Sequence, residues 1–144
     1  MIAVSSCLIG KKCRYSATDA LNQQLLDKLS KYDYIDICPE ILGGLKTPRL
    51  PCEIVLGTAS DILMGSAKII DSNHNDITEH MLIGAMKALN ICIANGVTKA
   101  YLKQKSPTCG YGLVYDGSFS SKLMEGNGIF AQLLISNGID IIAV

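Results

Sequence analysis

The sequence predicts an α/β fold, a single domain over residues 1–144 with a mostly parallel sheet and helices on both faces. Three observations carry that expectation. Short apolar runs alternate along the chain with segments of helical periodicity, the pattern of strand–helix–strand units. No repeat, low-complexity segment or linker divides the chain. Its 144 residues match one ordinary domain, long enough to bury about two-thirds of the surface its unfolded form exposes, so neither disulfides nor a metal is needed merely to fold.

The elements follow in order. "MIAVSSC" is apolar and ends in small residues, as a buried first strand does. Leu21, Leu25, Leu26 and Leu29 recur at helical spacing and predict a helix over Thr18–Lys31. "YDYIDIC" alternates as a second strand and stops at Pro39. "ILGGLKTPRLPCE", with paired glycines and two prolines, reads as an irregular loop. "EIVLG" and "SAKIID" read as two short strands paired in a hairpin. The clearest helix spans Ile77–Asn95: Asp76 is placed to cap it, Glu79 completes a D-x-x-E variant of the capping box, and Gly96 stops it. Its apolar face is Leu82, Ala85, Leu89, Cys92 and Ile93. "TKAYLK" is the next strand, and "GLVYD" is either a short strand or a loop. A last helix over Asn127–Ser136 ends at "NG", and "IDIIAV" closes the chain as a strand. That order implies a three-layer, Rossmann-like arrangement.

Composition narrows the function. With 49% apolar and 18% charged residues the chain is not of the disordered type. Thirteen basic residues are cancelled by thirteen acidic ones, which argues against a nucleic-acid partner and for a small, roughly neutral substrate. The N-terminus shows no basic leader, and its apolar run is broken by Ser5, Ser6 and Gly10. No apolar run reaches the roughly 18 residues of a membrane span. We therefore expect a cytoplasmic chain. Its six cysteines are then expected to be reduced, and to serve as core residues, metal ligands or catalytic thiols.

Three cysteines fall at strand ends. Cys7 follows the first strand, Cys38 closes the second, and Cys109 lies in "SPTCGYG", just after "TKAYLK". In an open parallel sheet the carboxyl ends of the strands form the ligand crevice, so thiols distant in sequence can converge there. Each sits beside a turn-former: Gly10, Pro39, or Pro107 and Gly110. Thiolates are soft ligands that select zinc, copper(I) or iron–sulfur clusters. Structural zinc normally takes four ligands, often from close C-x-x-C pairs, and no such pair occurs here. Three scattered cysteines fit better with a [4Fe-4S] cluster that keeps one iron free. Buried or idle thiols are the plain alternative on spacing alone.

Four blocks, "SSCLIGKKCRY", "CPEILGGLKTPR", "LKQKSPTCG" and "YDGSFS…GNGIFAQLL", occur in order between Ser5 and Leu134. Together they resemble the thiouracil desulfurase-like family. The resemblance implies a [4Fe-4S] cluster held by Cys7, Cys38 and Cys109, with the fourth iron open to the sulfur of a thiolated pyrimidine or related small thio-compound. It implies a desulfuration that needs no net electron, with Glu40 activating water and Ser106 hydrogen-bonding the ring or the water. Ser6, Arg14, Lys105 and Thr108 are the expected substrate contacts. An exposed iron also implies a cluster easily lost in air. The chain departs from the family pattern in three places. Thr108 stands where many relatives have serine, "RYSAT" lacks the acidic residue of "RYDG", and Cys52 replaces an alanine. These departures bear on the substrate more than on the cluster.

Other residues carry plainer readings. Cys13 is a fourth ligand, a resolving thiol or a bystander, while Cys52 and Cys92 read as packing residues. His74 and His80 read as surface residues. Arg14, Arg49 and Lys105 are either contacts for an anionic group or solvated charges. "GNGIFA" opens a helix and either offers N–H groups to an anion or packs tightly. Two rival functions share these residues. A thiol-dependent phosphatase or arsenate reductase using Cys7 needs Cys-x5-Arg, but Cys7 to Arg14 is one residue too long, and no Asp-Pro pair supplies an acid. A non-enzymatic iron–sulfur sensor or accessory module would use the same cysteines but has no need of Glu40 with Ser106.

Overall fold

The computed structural model describes residues 1–144. In chain order the elements are β1 (Ile2–Ser5), a single 3-10 turn (Ser6–Ile9), α1 (Gln23–Leu29), β2 (Tyr34–Ile37), α2 (Pro39–Leu42), β3 (Cys52–Val55), α3 (Ala59–Leu63), β4 (Lys68–Asp71), α4 (Thr78–Ala94), β5 (Lys99–Leu102), β6 (Tyr111–Tyr115), β7 (Leu123–Asn127), α5 (Ile129–Ser136) and β8 (Asp140–Ala143). The central sheet has the order β2-β1-β5-β8, and every pairing in it is parallel. From β1 the chain steps to β2 on one side, then returns to place β5 on the other. The progression therefore reverses between β1 and β5, which opens a crevice at their carboxyl ends.

Both sheet faces are covered, as a parallel sheet requires. Successive strand residues point to opposite faces. Ala3, Ile37, Ala100 and Leu102 enter the larger core with Met81, Ala85 and Cys92 of α4 and Phe130 and Leu134 of α5. Val4 and Tyr101 enter a smaller core with Leu25 and Leu29 of α1. The three-layer α/β expectation holds. Short helix α2 lies tightly on α4: a side chain at Gly84 would strike the Pro39 carbonyl, and one at Gly43 would strike that of His80. That close approach seats the segment that carries Cys38 and Glu40.

Several boundaries differ from the sequence reading, for local reasons. Helix α1 starts at Gln23, not Thr18. The Ala20 and Asn22 amides bond instead to the carbonyls of Cys7 and Leu8, and the Asn22 side chain caps the helix through the Leu25 N–H at 2.9 Å. Helix α4 starts at Thr78. Asp76 accepts from the Thr78 amide (3.0 Å) and hydroxyl (2.6 Å), so it turns the chain into the helix without making the D-x-x-E box. A capping box does form between Thr58 and Asp61, where it starts the unforeseen helix α3. Strands β3 and β4 pair antiparallel as expected, with α3 as their connection. "GLVYD" is a strand, paired antiparallel with β7, which was not anticipated. Because Asn127 ends β7, α5 begins two residues later than the reading placed it. No helix is long and apolar enough to cross a membrane.

Candidate functional site

The carboxyl ends of β1, β2 and β5 open on a cavity of about 580 Å³, in the usual range for a small-molecule site. Cys7, Cys38, Cys109, Glu40 and Ser106 all line it, as do Ser6, Arg14, Lys105 and Thr108. Residues that lie up to a hundred positions apart thus share one wall.

Each thiol has its own local support. Cys7 lies in the 3-10 turn after β1, which ends at Gly10 in the left-handed region (φ 96°) that glycine adopts without strain. The Cys7 carbonyl accepts the Gly10 and Ala20 amides. Cys38 is the N-cap of α2, with Pro39 at the first helical position and Glu40 in the first turn. Cys109 sits in a loop braced from both sides. Inside it, Ser106 Oγ accepts the amides of Cys109 (2.7 Å) and Thr108 (3.2 Å). From outside, the first amides of α5 donate to the loop: Gly128 to the Gly110 carbonyl, Ile129 to that of Pro107 and Phe130 to that of Thr108. These are the donors a helix leaves unpaired at its start. They are spent on the Cys109 loop, which overturns the anion-binding reading of "GNGIFA".

Cys13 and Cys52 line the same cavity, so five of the six cysteines are gathered there, all six being free thiols. The neighbouring Cys38 pulls the Cys13 pKa down, but Cys7 and burial push it up, to about 11. Cys13 and burial push the Cys38 thiol up in turn. Burial pushes Cys109 up to about 12. Burial likewise raises Cys52, which also packs on the larger core. Burial thus favours the neutral form of these thiols, and binding of a soft metal centre would release their protons.

No three His, Cys, Asp or Glu side chains gather around one point where a single ion would sit. A cubane cluster makes a different demand, because each thiolate meets its own iron at a separate corner. Three thiols on three loops around one cavity match that donor set.

Beside the thiols runs a hydrogen-bonded chain. Thr108 Oγ1 donates to Glu40 Oε1 at 3.1 Å. Ser106 Oγ lies 3.0 Å from Thr108 Oγ1 and, since the threonine proton goes to Glu40, acts as donor to it. Glu40 Oε2 is ion-paired with Arg49. Arg49 was read as a solvated charge or an anion contact; the structure buries it against Glu40 instead.

Ser6 donates its hydroxyl to Asp36 at 2.7 Å. Burial favours the neutral acid at Asp36, but bonds from Lys11 and Ser6 outweigh it and hold the carboxyl below its usual range. Arg14, Lys103 and Lys105 line the cavity, and none of the three has a carboxylate partner. Burial, with the nearby charges of Arg14 and Lys105, pulls the Lys103 pKa down. The wall opposite the strands was missed in the sequence. Tyr115 at the end of β6 and Phe119 and Ser121 of the β6–β7 connection line it. Buried Glu53 holds that connection by accepting the amides of Gly117 (2.9 Å) and Phe119 (3.3 Å). Phe119 and Ser121 have φ of 55° and 61°, a conformation uncommon outside glycine and frequent at binding sites. The block "YDGSFS" was the available signal, though it carried no role.

The loop after Cys7 is not a phosphate cradle. The amides of Gly10, Lys11, Cys13 and Arg14 are spent on the carbonyls of Cys7, Ser6, Lys11 and Thr18.

A thiol-walled cleft at the switch point of a parallel sheet, with a half-buried carboxylate beside the sulfurs, defines an α/β protein built around a soft-ligand, small-molecule site. The chain belongs to the 2-thiouracil desulfurase family, whose model matches residues 2–144. It is 41% identical over 143 residues to the YbbK protein of Bacillus subtilis (strain 168), covering 99% of this chain and 95% of that one. Among solved structures it resembles the [4Fe-4S]-dependent thiouracil desulfidase TudS, with 35% identity and a TM-score of 0.86 over 99% of this chain and 89% of that one.

Proposed function

We propose that the protein is a [4Fe-4S]-dependent desulfurase that removes sulfur from a thiolated pyrimidine, with Cys7, Cys38 and Cys109 as cluster ligands. The observation that carries this is the convergence of those three cysteines with Glu40 and Ser106 on one cavity, in a chain of the 2-thiouracil desulfurase family. When bound, the cluster supplies Lewis acidity toward the thiocarbonyl sulfur. The overall reaction consumes the thiolated base and water and yields the oxo base and hydrogen sulfide, with no net electron.

The chain's own residues supply the rest. Glu40 accepts the proton of the attacking water as general base. Thr108 donates to one of its oxygens and Arg49 to the other, so the carboxylate cannot swing away from the cavity. Ser106 feeds the same chain through Thr108 and fixes the Cys109 loop. The unpaired cations Arg14, Lys103 and Lys105 form a wall suited to an anionic group on the substrate or to charge developing on the ring. Phe119 and Tyr115 add aromatic surface to the cavity on which a pyrimidine ring can pack.

Anaerobic reconstitution with iron and sulfide, followed by addition of 2- or 4-thiouracil, tests the proposal. The expected result is release of sulfide with formation of uracil. A cluster that loads fully but releases no sulfide from any thiolated pyrimidine would favour a sensor or accessory module instead.

A further inference from the structure

We infer that Arg49 is the positioning residue of this site: its buried guanidinium aims Glu40 into the cavity and ties that aim to the loop bearing Cys13. The inference rests on the desulfurase reading for its kinetic consequences, but its structural part stands alone. Glu40 lines the cavity and Arg49 does not, so the guanidinium lies behind the carboxylate. Only 10% of the Arg49 side chain is exposed.

Three segments meet at this one residue. Nη2 pairs with Glu40 Oε2 and also donates to the Cys13 carbonyl at 3.0 Å. Nη1 donates to the Lys46 carbonyl at 3.3 Å. Its own amide donates to the Tyr15 carbonyl at 2.7 Å. Helix α2, the loop after Cys7 and the loop after α2 are therefore laced together at the back of the site. A rigid planar fork can hold two acceptors at once in fixed directions, which a lysine ammonium on a flexible stem does poorly.

Stability alone is a weak reason for this arrangement. A buried ion pair is often no more stabilising than apolar residues of the same volume. Here, moreover, Nε is buried with no acceptor at all. What the pair does provide is orientation. With Thr108 on Oε1 and Arg49 on Oε2, both carboxylate oxygens are held from fixed directions. Displacing a catalytic group by about 1 Å can cost on the order of 100-fold in rate.

The test compares Arg49→Met and Arg49→Lys with wild type, all reconstituted anaerobically. Iron per chain, visible absorption, KM and kcat per cluster are measured. Arg49→Met is expected to keep iron and KM within about twofold while kcat per cluster falls about 30-fold or more. Arg49→Lys, which restores the charge but not the fork, is expected to recover part of that loss, leaving kcat about 3- to 10-fold down. Arg49→Met with kcat within about twofold of wild type, or with a loss explained wholly by missing iron, would overturn the inference. If Arg49→Met does not fold, Arg49→Lys decides: unchanged kcat per cluster in that variant overturns it. A second readout needs no cluster. In the cluster-free protein, trypsin should cut after Lys11, Lys12 or Arg14 about tenfold faster in Arg49→Lys or Arg49→Met than in wild type. Unchanged cleavage would refute the anchoring of the Cys13 loop. Should the reconstituted wild type release no sulfide, the desulfurase reading fails, while the proteolysis still decides the structural role.

Discussion

Cys92 and Cys109 are both buried, yet they belong to different parts of the molecule. Cys92 lies on α4 in the larger core, and burial alone raises its thiol to about 11. Cys109 touches that same core but faces the cavity, with Ser106 Oγ accepting its amide and α5 bracing its loop. Burial therefore does not distinguish the thiol that packs from the one that faces the cavity. Position beyond the end of a parallel strand does, in a loop whose amides and carbonyls are already satisfied.

The comparison can be broken most sharply at the sulfurs. Replacing Cys7, Cys38 or Cys109 with serine should lower iron per chain at least about tenfold after reconstitution, because a hard hydroxyl replaces a soft thiolate. The next largest effect is expected at Glu40→Gln. Iron and visible absorption should be retained while kcat falls about 100- to 10,000-fold, the range for losing a general base. Thr108→Val removes one donor from Glu40 and should lower kcat about tenfold at constant iron content, readable in the same sulfide assay. Cys13→Ser sharpens the contrast within the cavity: iron per chain should stay within about twofold of wild type, since three thiols complete the ligand set. The smallest functional effect belongs to Cys92→Ala, with iron and turnover unchanged. It should show only a loss of roughly 1 kcal/mol in denaturant-measured stability from the small cavity left behind.

The parallel sheet was legible because each of its strands is a short apolar run, and α4 because of its length, although its buried face is Met81, Ala85, Ala88, Leu89 and Cys92 while the expected Ile93 is exposed. The convergence of Cys7, Cys38 and Cys109 on one cavity was legible for the same reason, each lying beyond such a run. Strand β7 was not. "LMEGN" carries an exposed leucine, a glutamate and a glycine, and it is held mainly by pairing with β6. Backbone pairing leaves no periodic trace in side chains. Helix α3 was hidden because it is short and lies inside the connection between two paired strands. Arg49 was misread because its surroundings in sequence, "KTPRLP", look like a solvated loop. Only folding brings Glu40 and the Cys13 carbonyl around it. The "GNGIFA" segment failed differently: the free amides were foreseen, but not the loop carbonyls that take them.

The central claim is that three sulfurs remote in sequence hold one cluster. Iron and acid-labile sulfide per chain, measured side by side for wild type, Cys92→Ala and Cys109→Ser after anaerobic reconstitution, test it most directly. We expect about four irons per chain in the first two and almost none in the third. Equal iron in Cys109→Ser and wild type would contradict the account.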